Sequence, residues 1–142
     1  MKYLAILLVF LSAGIAQTAQ DAGSSHLKCD QGDSHVKVMD ITGHLVKEFE
    51  YHLTYVWCFT PKRIVSIKDV YAYGSGTFPW SFKGNLPGSP EYEPHPDSYY
   101  AVIFSQGGFE ASLFKLGIRG RQPWIRVTLT AGGQVRTEWS KG

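Results

Sequence analysis

The chain is short of what builds a helix bundle, a membrane span or a thiolate metal site. No apolar run reaches the roughly 18 residues that a membrane-spanning helix needs. The longest, Leu4 to Ile15, has twelve residues and includes Ser12. Beyond it no apolar stripe recurs at helical spacing, which leaves helices no buried face to form around. Cys29 and Cys58 are the only cysteines and neither has a second one nearby, as the closely spaced ligands of a four-coordinate structural zinc site would require. The one asparagine, Asn85, precedes Leu-Pro and makes no N-glycosylation sequon. There is no internal repeat, no low-complexity tract and no block of basic residues to direct nuclear import.

What is present begins with a leader. Met1-Lys2-Tyr3 carries one positive charge, the apolar core follows, and Gly14-Ile15-Ala16 sets small residues before Gln17. That order is the pattern of an export signal over 1–16. A buried amphipathic helix is the competing reading, but Leu4–Leu11 has no polar face. Removal of 16 from 142 residues leaves 126, a single domain's worth. We expect an N-terminal arm over 17–43 and a folded domain over 44–142. In an oxidising compartment the even pair Cys29 and Cys58 most economically forms one disulfide. Closing a loop of about 30 residues would stabilise the fold by roughly 3–4 kcal/mol on chain entropy. Two free thiols are the alternative.

Period-two alternation dominates the rest. Leu45, Phe49, Tyr51, Leu53, Tyr55, Trp57 and Phe59 occupy odd positions, against Glu48, Glu50, His52 and Thr54 at even ones. This predicts a strand, or two joined at a bend, with one face buried and one wet. Cys58 falls on the even side, so its disulfide would clip the arm across the outside of the sheet. Ile64 to Tyr73 reads as a second strand ended by Gly74-Ser75-Gly76. Around Phe78, Trp80 and Phe82, Pro79 predicts an edge strand. Residues 84–98 hold prolines at 87, 90, 94 and 96 and predict a long extended loop, functional or mobile.

Tyr99 to Ser105 and Phe109 to Arg119 are apolar runs on either side of Gln106-Gly107-Gly108, which we read as the turn of a hairpin. A phosphate cradle would need a helix after the glycines, and Phe109 to Phe114 show no helical stripe. For the last hairpin, a three-residue turn Ala131-Gly132-Gly133 pairs Leu129 with Val135, Val127 with Thr137 and Ile125 with Trp139. Thr128 then meets Arg136, and Arg126 meets Glu138, so one face stays apolar. The expected fold is an all-β, antiparallel β-sandwich or small barrel of six to eight strands.

Charge is uneven. Residues 17–114 carry seven Lys/Arg against eleven Asp/Glu, and residues 115–142 six against one. Arg119, Arg121, Arg126 and Arg136 are therefore candidate contacts for an anionic glycan or surface, weighed against solvated, ion-paired strand faces. Trp80, Tyr92, Tyr99 and Tyr100 flank the Pro-rich loop and are candidate ligand contacts for a sugar ring or apolar group, although Trp80 and Tyr100 taken singly read as core. His26, His35 and His44 stand nine apart among Asp30, Asp33 and Asp40. A metal would need three loops to converge on them, so surface histidines in a flexible arm are the preferred reading and no metal is assigned.

Asp33-Ser34-His35 and Gly74-Ser75-Gly76 lack the Gly-x-Ser-x-Gly strand-to-helix elbow. No pair among Glu48, Glu50, Asp69, Glu91 and Glu93 can be given a catalytic separation from sequence. We expect no enzyme, no cofactor, no nucleic-acid partner and no membrane span.

Two segments, TPKRIVSIKDVYAYGSG and VIFSQGGFEASLFKLGIRGR, resemble the insect family called transcription activator MBF2, or MBF2-like. They look like its Ile-x-x-Ile strand ending at glycine, and its hydrophobic strand, Ser/Gly turn and final strand closing on Gly-Arg, over about residues 51–121. The insertion at 84–98, the two cysteines and the hairpin after Arg121 depart from that pattern. The resemblance implies a small exported β-protein with no catalytic residues. The family's name comes from a co-activator role in gene expression, against which the leader argues here. The expectation is a secreted, extracellular, non-enzymatic binding protein whose partner is an unknown ligand or protein, with a glycan or anionic surface as the alternative.

Overall fold

The alternation in β2 (Leu45–Phe59) sets the core. Phe49, Tyr51, Leu53, Tyr55, Trp57 and Phe59 are all buried. A slip of one residue would bring Glu48, Glu50, His52 and Thr54 inward instead. At about 1.5–3 kcal/mol per buried large side chain, no local preference competes with that. The structure is a computed structural model describing residues 26–42, 45–93, 98–112 and 118–142. The leader 1–16, His44, Pro94, Pro96 and Lys115 lie outside the described residues.

β2 is the middle strand of a three-stranded antiparallel sheet between β1 (Lys28–Thr42) and β3 (Ile64–Gly76). Residues 28–42, expected in a loose arm, are therefore a full-length strand. They carry few apolar residues, but Ser34 and Val36 turn inward while Asp33, His35 and Lys37 stay in solvent, an alternation masked by polar composition. Gly74-Ser75-Gly76 continues β3 instead of ending it. Between rungs Thr54–Tyr71 and Val56–Lys68 the third strand holds one extra residue, and Asp69 takes up this bulge at φ 52°.

The second sheet is built on β6 (Tyr100–Ser112). On one side run β4 (Trp80–Asn85) and β5 (Glu91–Tyr92); on the other run β7 (Ile118–Arg121) and β8 (Trp124–Thr130), followed by β9 (Val135–Ser140). β7 and β8 keep one register against β6, Arg121 opposite Phe109 and Trp124 opposite Gln106. The Gly107 N–H donates to the Pro123 carbonyl at 3.0 Å; proline's missing N–H breaks the ladder for one rung. The two sheets pack face to face, β1 over β8 and β9 and β3 over β4 and β6, an all-β antiparallel sandwich and not a closed barrel. Among the described residues nine strands replace the expected six to eight, because β4/β5 and β7/β8 are each interrupted. Among the described residues no helix is long and apolar enough to cross a membrane.

The hairpin expected at Gln106-Gly107-Gly108 is overturned. β6 runs straight through it, with Ala101, Ile103, Ser105, Phe109 and Ala111 buried on one face, and positive φ occurs at Gly84, Gly88, Gly133 and Gly142 but not here. Gly107 is needed for close approach: a Cβ there would sit 2.5 Å from Tyr51 Cε2. In contrast, Gly133 at φ 84° closes the three-residue turn before β9. The expected β8–β9 register holds at each of the five pairs, from Leu129–Val135 to Ile125–Trp139. Yet Val135 and Trp139 remain half exposed, because β9 overhangs the edge of the opposing sheet.

Of the expected loop 84–98, the described residues 84–93 are less loop-like than their prolines suggest. Leu86 N–H donates to the Gln106 carbonyl, and β5 pairs with Ile103 and Phe104. Beneath it lies a polar chain with one consistent proton assignment. Gln106 N–H donates to Ser89 Oγ (2.6 Å), Ser89 to Ser105 Oγ (3.1 Å), Ser105 to Tyr51 Oη (2.6 Å) and Tyr51 to Asn85 Oδ1 (2.8 Å). Asn85 Nδ2 then donates to the Ala72 carbonyl (2.9 Å), so the single asparagine ties the two sheets together.

Burial pushes the Tyr51 hydroxyl above its ordinary value, opposed chiefly by its hydrogen bond with Ser105; burial shifts Tyr55 the same way. The unfolded chain ionises these phenols near pH 10 while the folded chain keeps the protons. The stability they contribute is therefore complete below about pH 10 and is lost as pH rises through the folded values. Urea midpoints should fall over that interval in the wild type and less steeply in Tyr51→Phe. Equal slopes would contradict the shift at Tyr51.

Candidate functional site

Even positions of β6 face away from the core, so Tyr100, Val102 and Phe104 line the outer surface of the second sheet. Register brings Glu91 of β5 beside Phe104, and Arg126 and Thr128 of β8 on the other side. Two hollows result. One, of about 380 Å³, is bounded by Glu91, Tyr92, Glu93, Tyr99, Tyr100 and Phe104. The other, of about 570 Å³, is bounded by Glu91, Val102, Phe104, Arg126, Thr128 and Glu138. Sharing Glu91, Val102 and Phe104, they form one shallow groove across the strands.

Three of the four aromatic residues singled out from sequence meet at this groove. Tyr92, Tyr99 and Tyr100 are 39%, 59% and 63% exposed. Trp80 does not join them. It opposes Ala111 on the inner face and packs on Phe49 with ring centroids 4.9 Å apart, as strand parity requires. Phe104, which lines the groove, and Trp124, whose ring lies 6.0 Å from that of Phe104, were missed, since only cross-strand register places them on this face; Glu91 enters from sequence only as one of a carboxylate pair. The Arg126 guanidinium lies 5.9 Å from the ring centroids of both Phe104 and Trp124, a cation–π arrangement that holds it over the groove.

The four arginines do not form one patch. Arg126 and Arg136 share the groove's parity, whereas Arg119 and Arg121 share that of Ala111 and Phe109 on the opposite face. Arg121 Nη1 donates to the Gly142 carbonyl at 2.8 Å. Glu138 stands opposite Arg126 as expected, and its carboxylate is bound by Arg136 at 3.0 Å, a surface pair of small energetic weight.

The outer face of the first sheet carries a second constellation. His35 sits directly opposite His52, and His52 opposite Tyr73. His52 stacks on both, with centroids 5.4 Å from His35 and 4.8 Å from Tyr73. Its Nε2 lies 3.2 Å from Glu50 Oε2 and its Nδ1 3.5 Å from Asp33 Oδ1. Lys37 Nζ lies 3.2 Å from both Glu48 and Glu50. Hydrogen bonds from Lys37, and then from His52, lower the Glu50 pKa; those to Glu50 and Glu48 raise that of Lys37. Of the spaced set His26, His35 and His44, His26 is exposed ahead of β1 and His44 is outside the described residues. The partner of His35 is instead His52.

Strand parity also separates Asp33-Ser34-His35. Ser34 turns inward and its Oγ lies 3.2 Å from Thr137 Oγ1, on the opposite side of β1 from both neighbours. Glu48 and Glu50 hold Lys37 on one sheet, while Glu91 and Glu93 lie on the other. The bond between Cys29 and Cys58 is present and joins directly opposed residues, Cα atoms 4.0 Å apart. Cys58 is buried, though outside the apolar cluster between the sheets. Comparison with protein-family models, curated proteins and solved structures finds no match to this chain.

Proposed function

We propose that this chain is an exported, non-enzymatic binding protein whose groove on the second sheet holds an extracellular glycan. The observation that carries this reading is the convergence of Tyr92, Tyr99, Tyr100 and Phe104 with Arg126 and Glu91 along one groove. Aromatic faces cover the apolar C–H face of a sugar ring. The guanidinium and carboxylate supply fixed donors and acceptors for its hydroxyls, as a largely preformed binding site requires. The disulfide and the leader-like pattern of residues 1–16 support export, as does the MBF2-like resemblance over about residues 51–121; the leader argues against the gene co-activation in that family's name.

Titration of the folded protein with a panel of neutral and sulfated oligosaccharides tests this. Tyr99→Ala and Tyr100→Ala should each weaken binding by up to about tenfold, since a stacked ring is worth about 0.5–1.5 kcal/mol. No binding by any member of the panel, or binding indifferent to both substitutions, would overturn the reading. The second reading, contact with an anionic surface, rests on the basic C-terminal strands. It requires heparin retention to high salt that Arg119→Ala/Arg121→Ala abolishes while the tyrosine variants do not.

A further inference from the structure

We propose that Asp33, His35 and His52 form a binding site for one divalent late first-row metal ion, Zn²⁺ or Cu²⁺, on the outer face of the first sheet. One ligand atom from each of the three lies within 4.8 Å of the other two. Asp33 Oδ1 and His52 Nδ1 are 3.5 Å apart. Donors around a tetrahedral ion with bonds of about 2.0–2.1 Å sit about 3.3–3.4 Å apart, so the pair needs little movement. His35 supplies the third donor from the directly opposed position.

The geometry is built in, because the two histidines are fixed to each other by register. Cys29–Cys58 is a closely spaced rung of the same ladder, and three two-residue steps along it comes His35–His52. Equal parity makes this another closely spaced, non-hydrogen-bonded pair, whose side chains stand side by side. Asp33 is two residues before His35, hence on the same face. Glu50 accepts from His52 Nε2, which leaves Nδ1 with its lone pair on the side of Asp33 and His35; the other Glu50 oxygen is held by Lys37. A carboxylate orienting the second ring nitrogen is the usual support of a metal-bound histidine. Tyr73, parallel to His52 within 2°, fixes the ring plane. Two imidazoles and one carboxylate favour Zn²⁺ or Cu²⁺ over Mg²⁺ or Ca²⁺, and three protein ligands leave a fourth position open to solvent. The site lies on the sheet opposite the glycan groove and does not depend on it.

Zn²⁺ titration of the folded, oxidised protein against a chromophoric chelator should show one equivalent bound. His35→Ala and His52→Ala should each weaken it by at least about tenfold, and Glu50→Ala by about 10–100-fold with partial rescue in Glu50→Gln. His26→Ala should leave it unchanged. In the unmutated protein, substoichiometric Cu²⁺ should broaden the imidazole NMR signals of His35 and His52 before those of the other histidines. Absence of Zn²⁺ uptake at millimolar metal, uptake undiminished in His35→Ala/His52→Ala, or Cu²⁺ broadening centred on other histidines would each overturn the proposal.

Discussion

Phe109→Ala is expected to destabilise the protein by about 3–5 kcal/mol, the range for truncating a fully buried aromatic residue. Phe109 is 1% exposed and joins the two sheets. Its ring stacks on Phe49 at 4.3 Å, meets Tyr51 edge-on at 6.3 Å and lies 5.1 Å from Phe82. Rings so placed contribute beyond their buried area. The space left behind would not close readily, because each neighbour belongs to a strand held by its own ladder and Tyr51 is also tethered to Asn85 and Ser105. The upper half of the range is therefore expected. Urea unfolding should show a lower midpoint at unchanged slope. Tyr71→Ala, on the solvent face, should stay within about 0.5 kcal/mol. A loss below about 1 kcal/mol at Phe109 would mean that the sheets do not pack through this ring.

Removing the disulfide as Cys29→Ala/Cys58→Ala should cost about 3–4 kcal/mol, the chain-entropy value for a loop of this size. The bond spans a sequence separation of 29. It closes the hairpin of β1 and β2 at its open end, so without it the unfolded chain regains the freedom of the whole loop. In the folded state β1 would keep its ladder with β2 but lose its anchor at the end where it is least buried. Fraying from Lys28 is the expected route of opening, visible as amide exchange in 28–36 ahead of the rest. Intact mass with and without reductant should show a gain of two hydrogens, and the same measurement on protein recovered from medium checks the processed end at Gln17. Unfolding midpoints indifferent to reduction would contradict this account.

Much of this was readable along single strands. The odd-position apolar residues of β2 announce its buried face, and the pairing of β8 with β9 follows from keeping Leu129, Val127 and Ile125 on one side. The polar composition of β1 hid its alternation, and the two glycines at 107 and 108 imitated a turn. One further inference was within reach: if Cys29 faces Cys58 across an antiparallel pair, counting inward sets His35 against His52 and Lys37 against Glu50.

By itself the sequence determined the fold class, the faces of its clearest strands and its disulfide, because a period of two and an even cysteine pair act within or between short segments. Only the tertiary structure decided that Gly107 lies under the Tyr51 ring, and that Trp80 is core while Tyr92, Tyr99 and Tyr100 share a groove. Those outcomes depend on which distant strands lie side by side and which face each turns inward. That is settled by packing two sheets against each other, and no local pattern encodes it.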